Sequence, residues 1–182
     1  MFHHAKNNKY IITGAPGTGK TSIINELLKR GYCCIKENSR EIIENELKNN
    51  GDILPWKNQM AFENKVCLLR KNKLINSPSE KTCFFDRGVF DSIAYLSANN
   101  IKPSKTIQSC LKKSYYNTNV FLTPFWKEIY HNDNERLEDT NKAINIEFHL
   151  INTYKRYGFN IVKIPKHSIH KRADFILQNI RH

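Results

Sequence analysis

The stretch from residue 10 to residue 24 constrains this chain more than any other, and it reads YIITGAPGTGKTSII. An apolar run is followed by a glycine-rich loop and then by a second apolar run. Glycine lets the backbone curl so that successive N–H groups point into one hollow of the size of an anion. A helix that begins after such a loop adds its N-terminal partial positive charge. The segment therefore predicts a strand, a polyphosphate-binding loop and a helix in succession.

The loop fits the Walker A pattern, G-x-x-x-x-G-K-[ST]. In this pattern the lysine reaches the β- and γ-phosphates, and the hydroxyl that follows it binds Mg²⁺. We therefore predict ATP and Mg²⁺ as cofactors, with Lys20 acting on the phosphates and Thr21 binding the metal. The predicted nucleotide-binding residues are Gly14, Ala15, Pro16, Gly17, Thr18, Gly19, Lys20, Thr21 and Ser22.

Apolar runs typical of buried strands alternate with helical patterns along the whole chain. Strands are predicted over residues 9–13, 32–36, 82–85, 119–123 and 160–164. Helices are predicted over residues 22–30, 39–48, 57–74, 91–98, 104–113, 137–157 and 168–180. Strands separated by helices form parallel βαβ units with right-handed crossovers. We expect a three-layer α/β/α sandwich with a five-stranded parallel sheet, in one domain over residues 1–182 with a small lid at about 124–140.

Composition excludes some classes of function. No apolar run approaches the roughly 18 residues that span a bilayer, and the first residues lack the apolar segment of a secretory signal. We expect a cytoplasmic protein, a monomer or homodimer, with no membrane partner. The five cysteines have no metal-ligand or C-x-x-C spacing, which argues against a metal or redox site. The formal net charge is +12, but the lysines are spread along the chain, so a basic cleft for anionic substrates is favoured over a nucleic-acid surface.

Two other classes of P-loop protein are disfavoured. A G protein needs an Asn-Lys-x-Asp guanine reader, and none of the Asn-Lys pairs in this chain has the aspartate. Motor and AAA+ ATPases usually carry Asp-Glu after the third-strand run, where the glutamate polarises water. In this chain Asp86 follows that run and is itself followed by Arg87. The chain therefore lacks the residues expected of a GTP switch or a motor.

Asp86-Arg87-Gly88 resembles the Asp-Arg or Glu-Arg pair of nucleoside and nucleoside-monophosphate kinases. Other segments extend the resemblance: ENSRE at residues 37–41, DRGVFDSIAY at 86–95 and WKEIYHNDNER at 126–136. With the loop, they resemble the AAA_28 group of small P-loop ATPases. That group is similar to the ribosylnicotinamide kinase domain of the NAD-biosynthesis regulator and, more distantly, to thymidylate and deoxynucleoside kinases. The resemblance covers nearly the whole chain and implies a nucleoside-kinase-like fold.

The resemblance implies roles for residues that follow the strands. Asp86 serves the metal or the acceptor hydroxyl, and Arg87 holds the acceptor or a phosphate group. Glu37 accepts the proton of the acceptor hydroxyl during attack on the γ-phosphate, and Arg40 binds an acceptor phosphate or sugar. Structural alternatives exist for three of them: a salt bridge for Arg87, an acid at a helix N-terminus for Glu37, and an exposed helix charge for Arg40.

Two further regions are candidates for the acceptor pocket and the lid. Trp56 and Gln59 offer the aromatic face and the carboxamide that a nucleobase pocket needs, although a core tryptophan and a surface glutamine explain them equally well. In the lid, Arg136 is expected to close over the γ-phosphate with help from Lys127; ordinary loop charges are the alternative. Many nucleoside-monophosphate kinases carry several lid arginines, whereas this segment has one.

The function predicted from these features is ATP- and Mg²⁺-dependent phosphoryl transfer to a small-molecule acceptor of the nucleoside or nucleotide type. Two alternatives stay open. The chain could hydrolyse ATP as a regulatory protein or nucleotide sensor that has no acceptor. It could also be a nucleic-acid-binding module that ATP switches.

Overall fold

The computed structural model describes residues 7–37, 39–112, 114–129 and 140–180. Its strands are β1 (Lys9–Thr13), β2 (Cys33–Ile35), β3 (Cys83–Asp86), β4 (Asn119–Leu122) and β5 (Asn160–Lys163). The helices in these residues are α1 (Lys20–Lys29), α2 (Ser39–Lys48), α3 (Gln59–Ile75), α4 (Val89–Ala98), α5 (Lys105–Leu111), α6 (Thr140–Arg156) and α7 (Ile169–Gln178), with a short 3₁₀ helix at Lys127–Ile129. None of the described helices is long and apolar enough to cross a membrane.

The strands form one parallel sheet in the order β2-β3-β1-β4-β5. The central strand, β1, is buried on both faces because its side chains alternate between two cores. Tyr10 and Ile12 pack on the face that α1 and α7 cover. Ile11 packs on the opposite face, against residues of α3, α4, α5 and α6. The predicted three-layer α/β/α sandwich with a five-stranded parallel sheet is confirmed.

The connections from the two neighbouring strands β1 and β3 leave the sheet on opposite faces. Helix α1, which follows β1, contributes Ile23 and Leu27 to one core. Helix α4, which follows β3, contributes Val89 and Ile93 to the other. In open parallel sheets a crevice opens beyond the carboxyl ends of strands where the connections diverge in this way. This topology therefore places the loop after β1 and the residues after β3 on one crevice.

The helix predicted over residues 57–74 runs from Gln59 to Ile75 in the structure, as α3. The buried residues of α3 are Phe62, Glu63, Val66, Cys67 and Leu74. Glu63 and Arg70 of this helix line the crevice, and Arg70 pairs there with Glu37.

Candidate active site

The loop between β1 and α1 has the conformation that phosphate binding needs. Gly17 and Gly19 have positive φ angles of 76° and 84°. Gly14 allows a close approach of the neighbouring strand end, since a Cβ at this position would lie 2.1 Å from Thr123 Oγ1. The glycines are therefore required by the shape of the loop, as the sequence pattern predicts.

Lys20 begins α1 and folds back over the loop. Its Nζ donates hydrogen bonds to the carbonyl oxygens of Gly14, at 3.0 Å, and Ala15, at 2.8 Å. Burial, together with the nearby Arg87, lowers the pKa of Lys20 to about 7. The hydrogen-bond acceptors of Lys20 are thus neutral carbonyl groups, and an anion in the loop would be a stronger partner that favours the charged form of Lys20.

Helix α7 contacts the loop between β1 and α1 through Arg172. Arg172 is buried, and its Nη2 donates a hydrogen bond to the Thr18 carbonyl at 2.9 Å. The guanidinium lies so close that a Cβ at Gly19 would be 2.7 Å from Arg172 Nη1. Thr18 Oγ1 also bonds to Thr123 Oγ1 at 2.7 Å, after β4. The loop is therefore held by residues far along the chain.

Asp86 ends β3 beside the loop. Its side chain is buried, and its Oδ1 has no hydrogen-bond partner among the described residues. Burial raises the pKa of this carboxyl group, and the nearby Lys20 opposes the rise. An unpartnered buried carboxylate oxygen and the Thr21 hydroxyl, which line the same cavity, are the hard oxygen donors that Mg²⁺ prefers. The residues present thus fit a polyphosphate and its metal ion.

Glu37 lies at the centre of an ion-pair cluster on the other side of the crevice. Its carboxylate accepts hydrogen bonds from Arg87 Nε at 2.7 Å, from Ser39 Oγ at 2.7 Å and from Arg70 Nη2. Burial alone would raise the pKa of Glu37, but Arg87 and Arg70 lower it to about 2. Glu37 is therefore an anion throughout the physiological range.

Arg87 connects this cluster to the phosphate loop. Its Nη1 donates to the Gly14 carbonyl at 3.0 Å and to Asp91 Oδ1 at 3.2 Å, and its guanidinium lies 5.1 Å from the Tyr95 ring centroid. Its backbone φ is 70°, which is uncommon for a residue other than glycine. The left-handed backbone directs this arginine into the crevice directly after β3.

Asp91 stabilises the Glu37–Arg87 cluster through a hydrogen bond with Arg87. It is fully buried on the first turn of α4 and accepts hydrogen bonds from Thr13 Oγ1 at 2.6 Å, from the Gly88 N–H at 2.8 Å, from Arg87 Nη1 and from Tyr154 OH. These donors come from β1, α6 and the β3–α4 turn. Asp91 therefore fixes where Arg87 stands relative to the phosphate loop.

The two groups of residues face a single cavity of about 560 Å³, a volume in the range of small-ligand sites. It is lined by these residues that the sequence singled out: Pro16, Lys20, Thr21, Glu37, Arg40, Trp56, Gln59, Asp86 and Arg87. Ser22 lies on the exposed side of α1. Arg136 lies outside the described residues, and the structure describes Lys127 in the 3₁₀ helix.

Two of the predicted acceptor residues have an environment that the sequence did not indicate. Trp56 is 56% exposed at the cavity wall, so it is not a core tryptophan. The Gln59 carboxamide donates to the Tyr95 carbonyl at 3.0 Å and accepts from Asn99 Nδ2 at 2.9 Å. Gln59 thus joins α3 to α4, and its role toward a ligand stays a prediction.

Sequence reasoning missed Arg70, Glu63 and Asp91 as residues of the site. Glu63 and Arg70 line the cavity, and Asp91 lies directly beneath it. The spacing of seven residues between Glu63 and Arg70, two helical turns, was the signal that could have indicated a shared face. Asp91 stands three residues after Gly88, the position of an acid in a capping box.

Comparisons with known proteins agree with this geometry. The AAA_28 family model, described as an AAA domain, matches residues 9–172. No curated protein matches the sequence. Among solved structures, the chain is similar to deoxyadenosine kinase from M. mycoides with bound dATP, at 17% identity, over 96% of this chain and 100% of that chain, with a TM-score of 0.69.

Two further solved structures have the same fold. One is thymidylate kinase from Candida albicans, at 15% identity over 96% of this chain and 91% of that chain, with a TM-score of 0.63. The other is the NadR protein in complex with NR, at 14% identity over 94% of this chain and 51% of that chain, with a TM-score of 0.64. At these identities the likeness shows the fold alone, which is the fold of P-loop nucleoside and nucleotide kinases.

Proposed function

The chain belongs to the AAA_28 family of AAA domains, and from that premise we propose that it transfers the γ-phosphoryl group of ATP, with Mg²⁺, to a hydroxyl group of a nucleoside or nucleotide. One observation carries the proposal. The phosphate loop with Asp86 and the Glu37–Arg87 ion pair line the same cavity of about 560 Å³. A protein that only hydrolysed ATP would have no use for a second, pre-organised polar cluster across from its phosphate loop.

On the phosphate side, the loop backbone and Lys20 would bind the β- and γ-phosphates, and Thr21 with Asp86 would hold Mg²⁺. When bound, the metal neutralises the charge that develops on the transferred group. Lys20 exchanges its hydrogen bonds to the Gly14 and Ala15 carbonyls for stronger ones to phosphate. Arg172 keeps the loop in its binding shape through the Thr18 carbonyl.

On the acceptor side, Arg87 and Arg70 orient Glu37 toward the acceptor hydroxyl. The hydroxyl oxygen bonds to the γ-phosphorus, the bond from that phosphorus to the bridging oxygen breaks, and ADP leaves. The hydroxyl proton passes to Glu37 and then to water. Because the pKa of Glu37 is about 2, Glu37 takes this proton late, once the new bond has made the hydroxyl acidic.

We further propose that residues 1–182 act as one domain, with a lid at about 124–140 that covers the transferred group. Within this lid the structure describes residues 124–129 and residue 140. The Phe125 N–H donates a hydrogen bond to Glu147 Oε2, which ties the start of the lid to α6. Arg136 remains the residue proposed to stabilise the transition state there.

The test is transfer of label from γ-labelled ATP, with Mg²⁺, to a panel of nucleosides, nucleoside monophosphates and nicotinamide riboside. We expect label in at least one acceptor, and its loss in Lys20→Ala but not in Lys29→Ala, which removes an exposed lysine from the same helix. Label that appears only as inorganic phosphate, whatever the acceptor, would overturn transfer and favour the hydrolytic alternative. Tight binding to DNA with a steep salt dependence would favour the nucleic-acid module.

A further inference from the structure

Glu63 is a buried acid of the cavity that the proposed reaction does not use. It lies on α3, is 4% exposed and lines the cavity. In the part of the chain that the structure describes, Glu63 has no ion pair within 4.0 Å, unlike Glu37. Deeply buried acids are rare unless they are paired, so this position calls for a partner.

The two oxygens of Glu63 differ. Ser92 Oγ accepts a hydrogen bond from Arg70 Nη1 at 3.0 Å, so the single hydroxyl proton of Ser92 is available to Glu63, whose pKa Ser92 lowers. The other oxygen, Oε2, is buried and has no hydrogen-bond partner among the described residues. The carboxyl group of Glu63 therefore has acceptor capacity at Oε2 that no described residue uses.

Glu63 lies in the acceptor half of the cavity. Glu63 lies two turns before Arg70 on α3, and Arg70 pairs with Glu37. The aromatic residues Trp56 and Tyr95 line the same cavity. The other unpartnered carboxylate oxygen of the cavity, Asp86 Oδ1, lies instead at the strand end beside the phosphate loop.

The charges around the cavity indicate what kind of group Glu63 would meet. The cavity is lined by more basic than acidic side chains, as phosphates require. Above its pKa Glu63 is a carboxylate, which only accepts hydrogen bonds, so a phosphate or a carbonyl oxygen beside it would then be repelled. Burial raises the pKa of Glu63 to about 7, which is the result expected of an acid kept from water and from a full counter-charge.

We propose that Glu63 selects the acceptor by accepting a hydrogen bond, at Oε2, from an exocyclic amino group on its base. This inference rests on the proposed function, because it assigns the base of a nucleoside or nucleotide to the α3 side of the cavity. It makes Glu63 a specificity-determining residue, whereas Glu37 and Arg87 act on the reacting hydroxyl.

Ser92 makes the inference testable through one isosteric change. In Glu63→Gln the amide oxygen takes the hydrogen bond from Ser92, which places the amide nitrogen where Oε2 stands. The acceptor at that point becomes a donor, so the preference for an amino group should become a preference for a carbonyl group. Glu44→Gln is the matched control, since Glu44 is an exposed acid of α2.

The experiment is calorimetric binding of cytidine against uridine and of adenosine against inosine, as nucleosides and as 5′-monophosphates, at a pH of about 8.5, where Glu63 is a carboxylate. Within each pair, one nucleoside carries an exocyclic amino group where the other carries a carbonyl group. In the unsubstituted protein and in Glu44→Gln we expect the amino member of the bound pair to bind about tenfold to a hundredfold tighter. In Glu63→Gln we expect the ratio to fall to about one or to invert.

An equal or opposite preference in the unsubstituted protein overturns the inference, as does binding of neither pair or an unchanged ratio in Glu63→Gln. The unsubstituted protein alone decides the first two outcomes, whatever the variant does to folding. Label transfer from ATP is scored separately. Transfer of label without a preference for the amino member overturns the role of Glu63 and leaves the kinase proposal standing. A preference for the amino member without transfer of label supports the role of Glu63 and overturns the kinase proposal.

Discussion

Arg87 Nε donates a hydrogen bond to Glu37 Oε2 across 2.7 Å, although the two residues are 50 positions apart in the sequence. The sheet explains the pairing. In the register of β2 and β3, Ile35 lies opposite Phe85, so two residues further along each chain segment Glu37 comes opposite Arg87. The Glu37–Arg87 pair thus extends the register of β2 and β3 by two residues beyond the ends of the paired strands.

The first prediction concerns Asp86, whose buried Oδ1 has no hydrogen-bond partner among the described residues. Asp86→Asn keeps the shape of the side chain but removes the negative charge that would hold Mg²⁺, so transfer of label from ATP should fall at least about a hundredfold. Binding of ADP without metal, measured by calorimetry, should stay within about threefold, because the loop and Lys20 are unchanged.

The control for Asp86→Asn is Asp52→Asn, since the Asp52 side chain is 82% exposed and pairs with Lys57 at 3.1 Å. This variant should behave as the unsubstituted protein does. If Asp86→Asn retains full transfer, Asp86 has no part in the reaction.

The support of the loop by α7 leads to a second prediction. Arg172→Ala leaves the Thr18 carbonyl without its buried donor and opens space behind Gly19. We expect ADP to bind about tenfold more weakly, since a lost hydrogen bond to a charged group is of this size. Arg172→Lys should recover part of the affinity, and Lys171→Ala, at an exposed neighbour, should change nothing. If all three variants bind ADP as tightly as the unsubstituted protein does, Arg172 does not stabilise the phosphate-binding loop.

The depressed pKa of Glu37 leads to a third prediction, on stability in acid. An acid whose pKa falls to about 2 on folding stabilises the folded state above its ordinary pKa near 4.5 and loses that contribution as the pH falls toward 2. For Glu37 the loss is about 3 kcal/mol of unfolding free energy between pH 5 and pH 2. Urea unfolding of Glu37→Gln should show a flatter dependence in this window.

At neutral pH, Glu37→Gln should also be less stable, because Arg70 and Arg87 lose their shared counter-ion. The control is again Glu44→Gln, which should retain the acid dependence of the unsubstituted protein. If the unfolding free energies of Glu37→Gln and of the unsubstituted protein depend on pH in the same way, Glu37 does not titrate as its surroundings indicate.

Asp91 leads to a fourth prediction. An amide at position 91 has one acceptor oxygen where the carboxylate has two, and its NH₂ would face donors such as Gly88 N–H or Thr13 Oγ1. Asp91→Asn should therefore lower the free energy of unfolding by about 3 kcal/mol. Urea unfolding measures the loss, and Asp174→Asn, on the surface at α7, should cost less than about 1 kcal/mol. A loss of the same small size at both positions would contradict the central role of Asp91.

The sequence predicted those parts of the site that follow from local pattern. Walker A chemistry placed Lys20 and Thr21, and the strand ends placed Glu37, Asp86 and Arg87, because parallel strands bring their carboxyl ends to one edge. The structure brings all five to one cavity. The fold followed from the same alternation of apolar strands and helices.

Charge pairing across the crevice could not be predicted in the same way. The buried face of α3 carries Glu63 and turns Leu68 outward, where it is 46% exposed. On the same helix Arg70 pairs with Glu37, a partner 33 positions away that no periodicity of α3 encodes. The role of Asp91 is likewise set by Thr13 and Tyr154, 78 and 63 positions away.

The Gly14 carbonyl accepts hydrogen bonds from both Lys20 and Arg87, which belong to opposite halves of the cavity. If Lys20 exchanges this bond for one to a phosphate, as proposed above, Arg87 is left as the donor to this oxygen. The proposed ATP and acceptor sites therefore share one atom, through which binding at one site would change binding at the other. By thermodynamic reciprocity, the factor by which ATP changes the affinity for the acceptor equals the factor by which the acceptor changes the affinity for ATP.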